Sequence, residues 1–280
     1  MLFTLATAVS LVTSVVVHAM WQEFWIGDVD AGSSCVRLPV SNFPMTDFFT
    51  TGIACNVAVI ASTGLLSGDA VTVEMHQQPN DRSCVNEAIG GNHYGLVYVY
   101  MAAVDDATTA VGSEAAWFKV SESGLVSNNL DFFVSVDLMQ DNCGHYTFNI
   151  PADIARGNYL FRAIGNAYLL VALHVAAAEG GAQDVYILLC SRWIPIMLFS
   201  LPVGGSGTVT PDAVNLPGAC STEDPGILIN VYTQLNSYIV PGPTLYGTTE
   251  AAVATLLETL LPSPRPSYYS SYIVEVALGS

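Results

Sequence analysis

The chain has 280 residues, 24 of them acidic and only seven lysine or arginine, for a formal net charge of −17. One lysine (Lys119) and six arginines cannot assemble a basic face, which excludes a nucleic-acid binder. With 51% hydrophobic and 11% charged residues and a mean hydropathy of +0.46, the bulk of the chain is not disordered, and 23 Gly and 14 Pro exclude a heptad coiled coil.

Residues 1–17, MLFTLATAVSLVTSVVV, form an uncharged apolar run. It is short of the ~20 apolar residues a membrane helix needs, and it reads as a secretory signal peptide. Val17-His18-Ala19 fits the small-residue rule for cleavage before Met20; cleavage after Val17 would instead leave His18 at the mature N-terminus. No later stretch reads as a membrane span. Six cysteines behind a signal peptide imply an oxidising compartment and a disulfide framework. Spacing does not choose among the possible pairings, and no CxxC suggests a zinc or thiol-redox site.

The body reads as all-β. Val71-Thr-Val-Glu-Met75 alternates, and Leu96-Val-Tyr-Val-Tyr-Met101 and Ile227-Leu-Ile-Asn-Val-Tyr232 are rich in β-branched and aromatic residues. Turn signals stand between such runs at Ser67-Gly-Asp69, Pro79-Asn-Asp81, Gly90-Gly91, Arg156-Gly-Asn158 and Gly204-Gly-Ser-Gly207. The pattern predicts an antiparallel sandwich or barrel. Ala251–Leu261 is a candidate short helix. The expected division is signal peptide 1–17, β-domain 18–243 and C-terminal tail 244–280, the tail marked by Pro262-Ser-Pro-Arg-Pro266 and a Ser/Tyr cluster.

Of the five histidines, His76 and His145 read as structural or exposed. No H-E-x-x-H, G-x-S-x-G or Walker pattern occurs. The order of the distinctive segments is more informative. His18-Ala-Met-Trp-Gln-Glu-Phe-Trp25 is followed by Arg37-Leu-Pro-Val-Ser-Asn-Phe-Pro44, Cys55-Asn-Val57, Gly68-Asp-Ala-Val-Thr-Val-Glu74 and Asn92-His-Tyr-Gly95. Then come Trp117-Phe-Lys-Val120, Glu122-Ser-Gly-Leu125, Gly157-Asn-Tyr-Leu-Phe-Arg-Ala163, Ala172-Leu-His174, Gly180-Gly-Ala-Gln183, Asp224-Pro-Gly-Ile-Leu-Ile-Asn230 and Ser237-Tyr-Ile-Val-Pro-Gly-Pro243. This series closely resembles the fungal lytic polysaccharide monooxygenases of auxiliary activity family 9, formerly glycoside hydrolase family 61, over about residues 18–243.

The resemblance implies a secreted, monomeric copper enzyme on an immunoglobulin-like antiparallel β-sandwich with long loops. One copper ion would be held by the α-amine and ring of His18 and the ring of His93, with Tyr186 as the axial residue. His174 and Gln183 would serve the oxygen co-substrate beside it, Tyr238 would stack on a glucosyl ring, and Cys55 would pair with Cys190. The implied partners are cellulose or a related β-glucan, an external reductant as electron donor, and O₂ or H₂O₂. Cys35, Cys84, Cys143 and Cys220 stay unassigned. The donor chemistry is coherent: an N-terminal amine loses its proton near ~7.7–8, against ~10.4 for lysine, and imidazoles in tetragonal geometry suit Cu(II).

The chain departs from the family pattern near this site. Arg162 and His174 stand farther apart than in the family, with Ile164-Gly-Asn-Ala-Tyr168 inserted. Tyr186 follows Gln183 by three residues where the family spacing is two, so a bulge at Asp184-Val185 is expected to restore its facing. Ser191–Leu201 is more apolar than the usual strand. Two explanations stand: real divergence, or intron sequence read through. The rival function is a non-catalytic copper- or glycan-binding sandwich that has lost turnover through these insertions.

Overall fold

A computed structural model describes residues 19–33, 36–37, 65–66, 68–78, 80–85, 88–89, 95–107, 109–127, 132–133, 142–165, 186–187, 197–219, 224, 229–230 and 235–247. Strands dominate them, and among the described residues there is no α-helix, only a short 3₁₀ turn at Gly112–Glu114. The strands are β1 (Met20–Ile26), β2 (Val29–Gly32), β3 (Val36–Arg37), β4 (Leu65–Leu66), β5 (Ala70–His76), β6 (Val97–Val104), β7 (Ala116–Ser123), β8 (Leu125–Ser127), β9 (Phe132–Phe133), β10 (His145–Asn149), β11 (Gly157–Gly165), β12 (Tyr186–Ile187), β13 (Met197–Gly204), β14 (Val214–Asn215) and β15 (Ile229–Asn230). The candidate helix at Ala251–Leu261 lies outside the described residues.

The strands form a sandwich, as expected. One sheet is antiparallel in the order β10-β5-β1-β2. The larger runs β14-β7-β6-β11-β13-β3, with β4 added in parallel to β13. Alternation sends Val71, Val73 and Met75 of β5, with Trp21 and Phe24 of β1, into the core. There they meet Val97, Val99 and Met101 of β6 and Tyr159, Phe161 and Ala163 of β11. Phe161 joins the layers, with its ring centroid 6.4 Å from Phe24 and 6.5 Å from Phe148.

The predicted run Leu96–Met101 lacks polar alternation because both faces of β6 are covered. Tyr98 and Tyr100, on the face away from the core, are buried as well. Lys119 of β7 lies opposite Tyr100, with its Nζ 5.8 Å from the Tyr98 ring centroid, and Arg162 of β11 lies 5.6 Å from that of Tyr100. Lys119 is only 1% exposed; its ammonium donates to Glu122 Oε2 at 2.7 Å and to the Pro241 carbonyl at 3.0 Å. Burial pushes this amine down, against the pull of the Glu122 carboxylate. Packing continues past Pro243: Tyr246 donates its backbone N–H to Lys119 O, packs on Phe118 and donates its hydroxyl to Asp153.

On the outer face of the small sheet, Glu74 is 2% exposed. Its carboxylate accepts from His76 Nε2 at 2.7 Å, from Trp25 Nε1 at 2.7 Å and from Arg82 through a two-pronged fork. His145 Nε2 stands 3.1 Å away, and Arg82 also bonds Asp30 at 2.8 Å. His76 is thus a bonded partner of one buried carboxylate, and His145 stands beside it. The Cys84–Cys143 disulfide ties the segment carrying Arg82 to the turn that opens β10, which pairs two of the cysteines that spacing left unassigned. Gly144 in that turn has φ +78°, and a Cβ there would overlap the Met75 carbonyl oxygen.

Burial alone would raise the Glu74 carboxyl, but the hydrogen bonds from His76, Arg82 and Trp25 outweigh it and hold the group well below the usual carboxylate range. A carboxyl depressed by folding stabilises the protein above its unfolded value, and this is lost as pH falls. Glu74→Gln is therefore expected to cost about 3 kcal/mol at pH 7 by denaturant unfolding. The gap to wild type should shrink as pH drops below 4.5, the ordinary value for this carboxyl. A gap of equal size at pH 7 and pH 3 would remove this role from the carboxylate.

Candidate functional site

The expected metal ligands His18 and His93 lie outside the described residues, as do His174, Gln183, Asp184, Val185, Cys55 and Cys190. Ala19, next to His18, is described, and the described chain resumes at Gly95, two residues after His93. Ala19 is partly buried against the core and Met20 is 3% exposed. Gly95 is buried and Leu96 is fully covered, two and three residues after His93. Burial thus anchors the chain directly after His18, at Ala19 and Met20, and the chain leading into β6, at Gly95 and Leu96. Among the described residues no group of three or more His, Cys, Asp or Glu could hold a metal ion.

The start of β1 is held in an unusual way. The β1–β5 register runs Met20↔His76, Trp21↔Met75 and then Glu23↔Glu74, leaving Gln22 as an extra residue. Its side chain is buried. Nε2 donates to the His76 carbonyl at 3.3 Å and to the Gln78 carbonyl at 2.7 Å, while Oε1 accepts the Asn80 N–H at 2.8 Å. All three partners are backbone groups at or just beyond the end of β5. No feature of the sequence marks this bulge, because Met-Trp-Gln-Glu-Phe-Trp carries no clean alternation.

Tyr186 falls in the short strand β12, its backbone paired with Asn230 of β15 in an antiparallel ladder. The ladder is two residues long and also pairs Ile187 with Ile229.

Tyr238 is half-buried, with its ring against Gly124 in the link between β7 and β8. A Cβ at Gly124 would stand 2.9 Å from Tyr238 Cδ1 and 3.3 Å from Val240 Cγ2. The missing side chain is what lets this ring lie down. Ile239 beside it is 64% exposed. This stretch thus offers an aromatic ring braced from below next to an exposed aliphatic residue, which suits contact with the apolar face of a sugar ring.

Glycine at 124 generates a prediction. Gly124→Ala should force the Tyr238 ring to turn away and lower stability by about 1 kcal/mol, the small end of overpacking costs because a side chain yields more easily than backbone. A thermal melt and a crystal structure of the variant check it; an unmoved ring with unchanged stability would mean that Gly124 does not seat Tyr238.

The family model for auxiliary activity family 9 (formerly GH61) matches residues 12–238. The chain is 56% identical over 253 residues to the AA9 family lytic polysaccharide monooxygenase AA9-X282 of Trametes coccinea, covering 89% of this chain and 86% of that protein. It is 46% identical over 262 residues to AA9 family lytic polysaccharide monooxygenase B of Thermothielavioides terrestris, covering 89% and 75%. Of solved structures, HiLPMO9B aligns with a TM-score of 0.64 at 25% identity, over 82% of this chain and all of that one. A cellulose-active polysaccharide monooxygenase from M. thermophila aligns with a TM-score of 0.61 at 19% identity, over 83% of this chain and all of that one, a likeness of fold.

Proposed function

Since the chain belongs to auxiliary activity family 9, the lytic polysaccharide monooxygenases, we propose that it is a secreted, copper-dependent enzyme that oxidatively cleaves a β-1,4-glucan such as cellulose at C1 or C4. What carries this reading is the family match over residues 12–238, which spans His18 and His93 in their motifs.

In this reading residues 1–17 are removed and His18 becomes the N-terminus of a domain running to about Pro243, with 244–280 as a tail. The freed α-amine and the imidazoles of His18 and His93 would hold one copper ion. Copper bound there supplies one-electron chemistry with O₂ or H₂O₂ after an external donor has reduced it. The chain's own groups do the rest. An imidazole nitrogen of His174 holds a proton beside the oxygen co-substrate, and the Gln183 carboxamide N–H orients it. Tyr186 would supply a phenol to the bound metal. Tyr238, seated on Gly124, takes the apolar face of a glucosyl unit and fixes the register of the glucan chain over the site.

Two measurements test the reading. The secreted protein is expected to show an intact mass beginning at His18 and to bind one equivalent of Cu(II). A start at Met20 would remove two nitrogen donors and overturn it. His93→Ala is expected to abolish ascorbate-driven release of oxidised oligosaccharides from cellulose, a loss of at least about 10²-fold as for removal of a key ligand contact, while the thermal midpoint of the metal-free protein stays near wild type. Oxidised products at the wild-type rate would refute the ligand assignment. Copper binding without any turnover would favour the rival, a binding protein.

A further inference from the structure

We infer that Gln22 is a positioning residue for the metal-binding N-terminus: by holding a one-residue bulge in β1, its carboxamide fixes the path of Ala19, Met20 and Trp21, the three residues that follow His18. The inference rests on the copper reading of His18 and His93 given above.

The bulge sets the phase of the strand. Trp21 and Phe24 are both fully buried in the core, although residues three apart on a regular strand face opposite sides. The extra residue at Gln22 reconciles them, and without it everything before Gln22 would change face relative to everything after it. A bulge leaves ladder groups without partners. Here the Gln22 side chain supplies what the ladder lacks: both amide hydrogens go to the His76 and Gln78 carbonyls, and the amide oxygen takes the Asn80 N–H. The buried carboxamide is therefore fully bonded, and every bond fixes the bulge to the segment after β5.

This bears on the metal through the chain itself. Two of the three expected nitrogen donors, the α-amine and the ring of His18, belong to one residue and move together with the backbone that follows it. The third, on His93, is attached to β6 in the other sheet. A shift in the path of residues 19–21 moves the first two donors and not the third, so it alters the shape of the donor set rather than its composition.

The experiment compares wild type, Gln22→Ala, Gln22→Glu and Arg82→Ala, each with the N-terminus at His18 verified by mass. Arg82→Ala is the control: it cuts the bonds to Glu74 and Asp30 on the same segment but leaves the three bonds of Gln22. Cu(II) affinity is measured by competition with a chromophoric chelator, the copper site by EPR, and stability by melting the metal-free protein. Gln22→Ala is expected to weaken copper binding at least tenfold and to change the g values and copper hyperfine splitting. Gln22→Glu, which keeps the acceptor for Asn80 but loses both donations, should fall between. Arg82→Ala should melt earlier yet keep the wild-type spectrum and affinity. Gln22→Ala that melts earlier with an unchanged spectrum and affinity would make the residue merely structural and overturn the inference. So would an Arg82→Ala spectrum altered to the same degree. If Gln22→Ala does not fold, Gln22→Glu decides by the same readouts. Wild type that takes up no copper would sink the copper reading before any variant is compared, and this inference with it.

Discussion

A carboxylate withdrawn from water must be met by donors from several directions, and Glu74 imposes this demand on the outer face of the small sheet. Its donors come from β1 (Trp25), from its own strand (His76) and from the segment after β5 (Arg82), with His145 of β10 close by. Removing any of the three donors leaves a buried charge short of partners, so β1, β5 and the segment after β5 are held to one geometry. The Cys84–Cys143 bridge closes the same arrangement covalently. The bulge at Gln22 sits at the margin of this frame, and the frame gives it a fixed surface to bond to.

The larger sheet solves a related problem on its outer face. Tyr98, Tyr100, Lys119 and Arg162 form a layer of rings and cations rather than a solvated surface. The Ser237–Tyr246 segment lies over it, accepting from Lys119 at Pro241 and donating back at Tyr246. Tyr238 belongs to this covering segment. The ring proposed to meet a sugar is thus carried by chain whose position is set by a buried ammonium, and the sandwich supplies a firm base to what would otherwise be a loose terminal stretch.

The core strands were legible by two signals: Val71–Met75, in β5, alternates, while Leu96–Met101, most of it in β6, is a continuous β-branched and aromatic run buried on both faces. The spacing of such runs left a sandwich or a barrel, and the family resemblance chose the sandwich. What the sequence did not disclose were relations between distant segments. Glu74 and His76 are two apart, and a strand puts them on one face, but nothing local announces Arg82 or His145 as further partners. Cys84 and Cys143 are 59 apart, and only the meeting of the β5 and β10 turns selects them. The Gln22 bulge was hidden because an extra residue in a strand shows itself only against its neighbour's register. The proposed ligands His18 and His93, and with them His174 and Gln183, were singled out by motif order, a family signal, since no local pattern of hydrophobicity distinguishes a ligand histidine from a structural one; all four lie outside the described residues. Tyr186 was equally a matter of motif, and its strand pairing with Asn230 could not be read from either segment alone.

The burial of Lys119 has a practical corollary for handling the molecule. It is the single lysine of the chain, and its ammonium is enclosed between a carboxylate, a carbonyl and an aromatic ring. Amine-directed reagents, whether fluorophores, cross-linkers or activated resins, therefore find one accessible nucleophile on the folded protein, the α-amino group at its leading end. Attachment by that chemistry would orient every molecule the same way and would mask the very nitrogen on which the proposed chelate depends; coupling through carboxylates, plentiful in so acidic a chain, would leave it open.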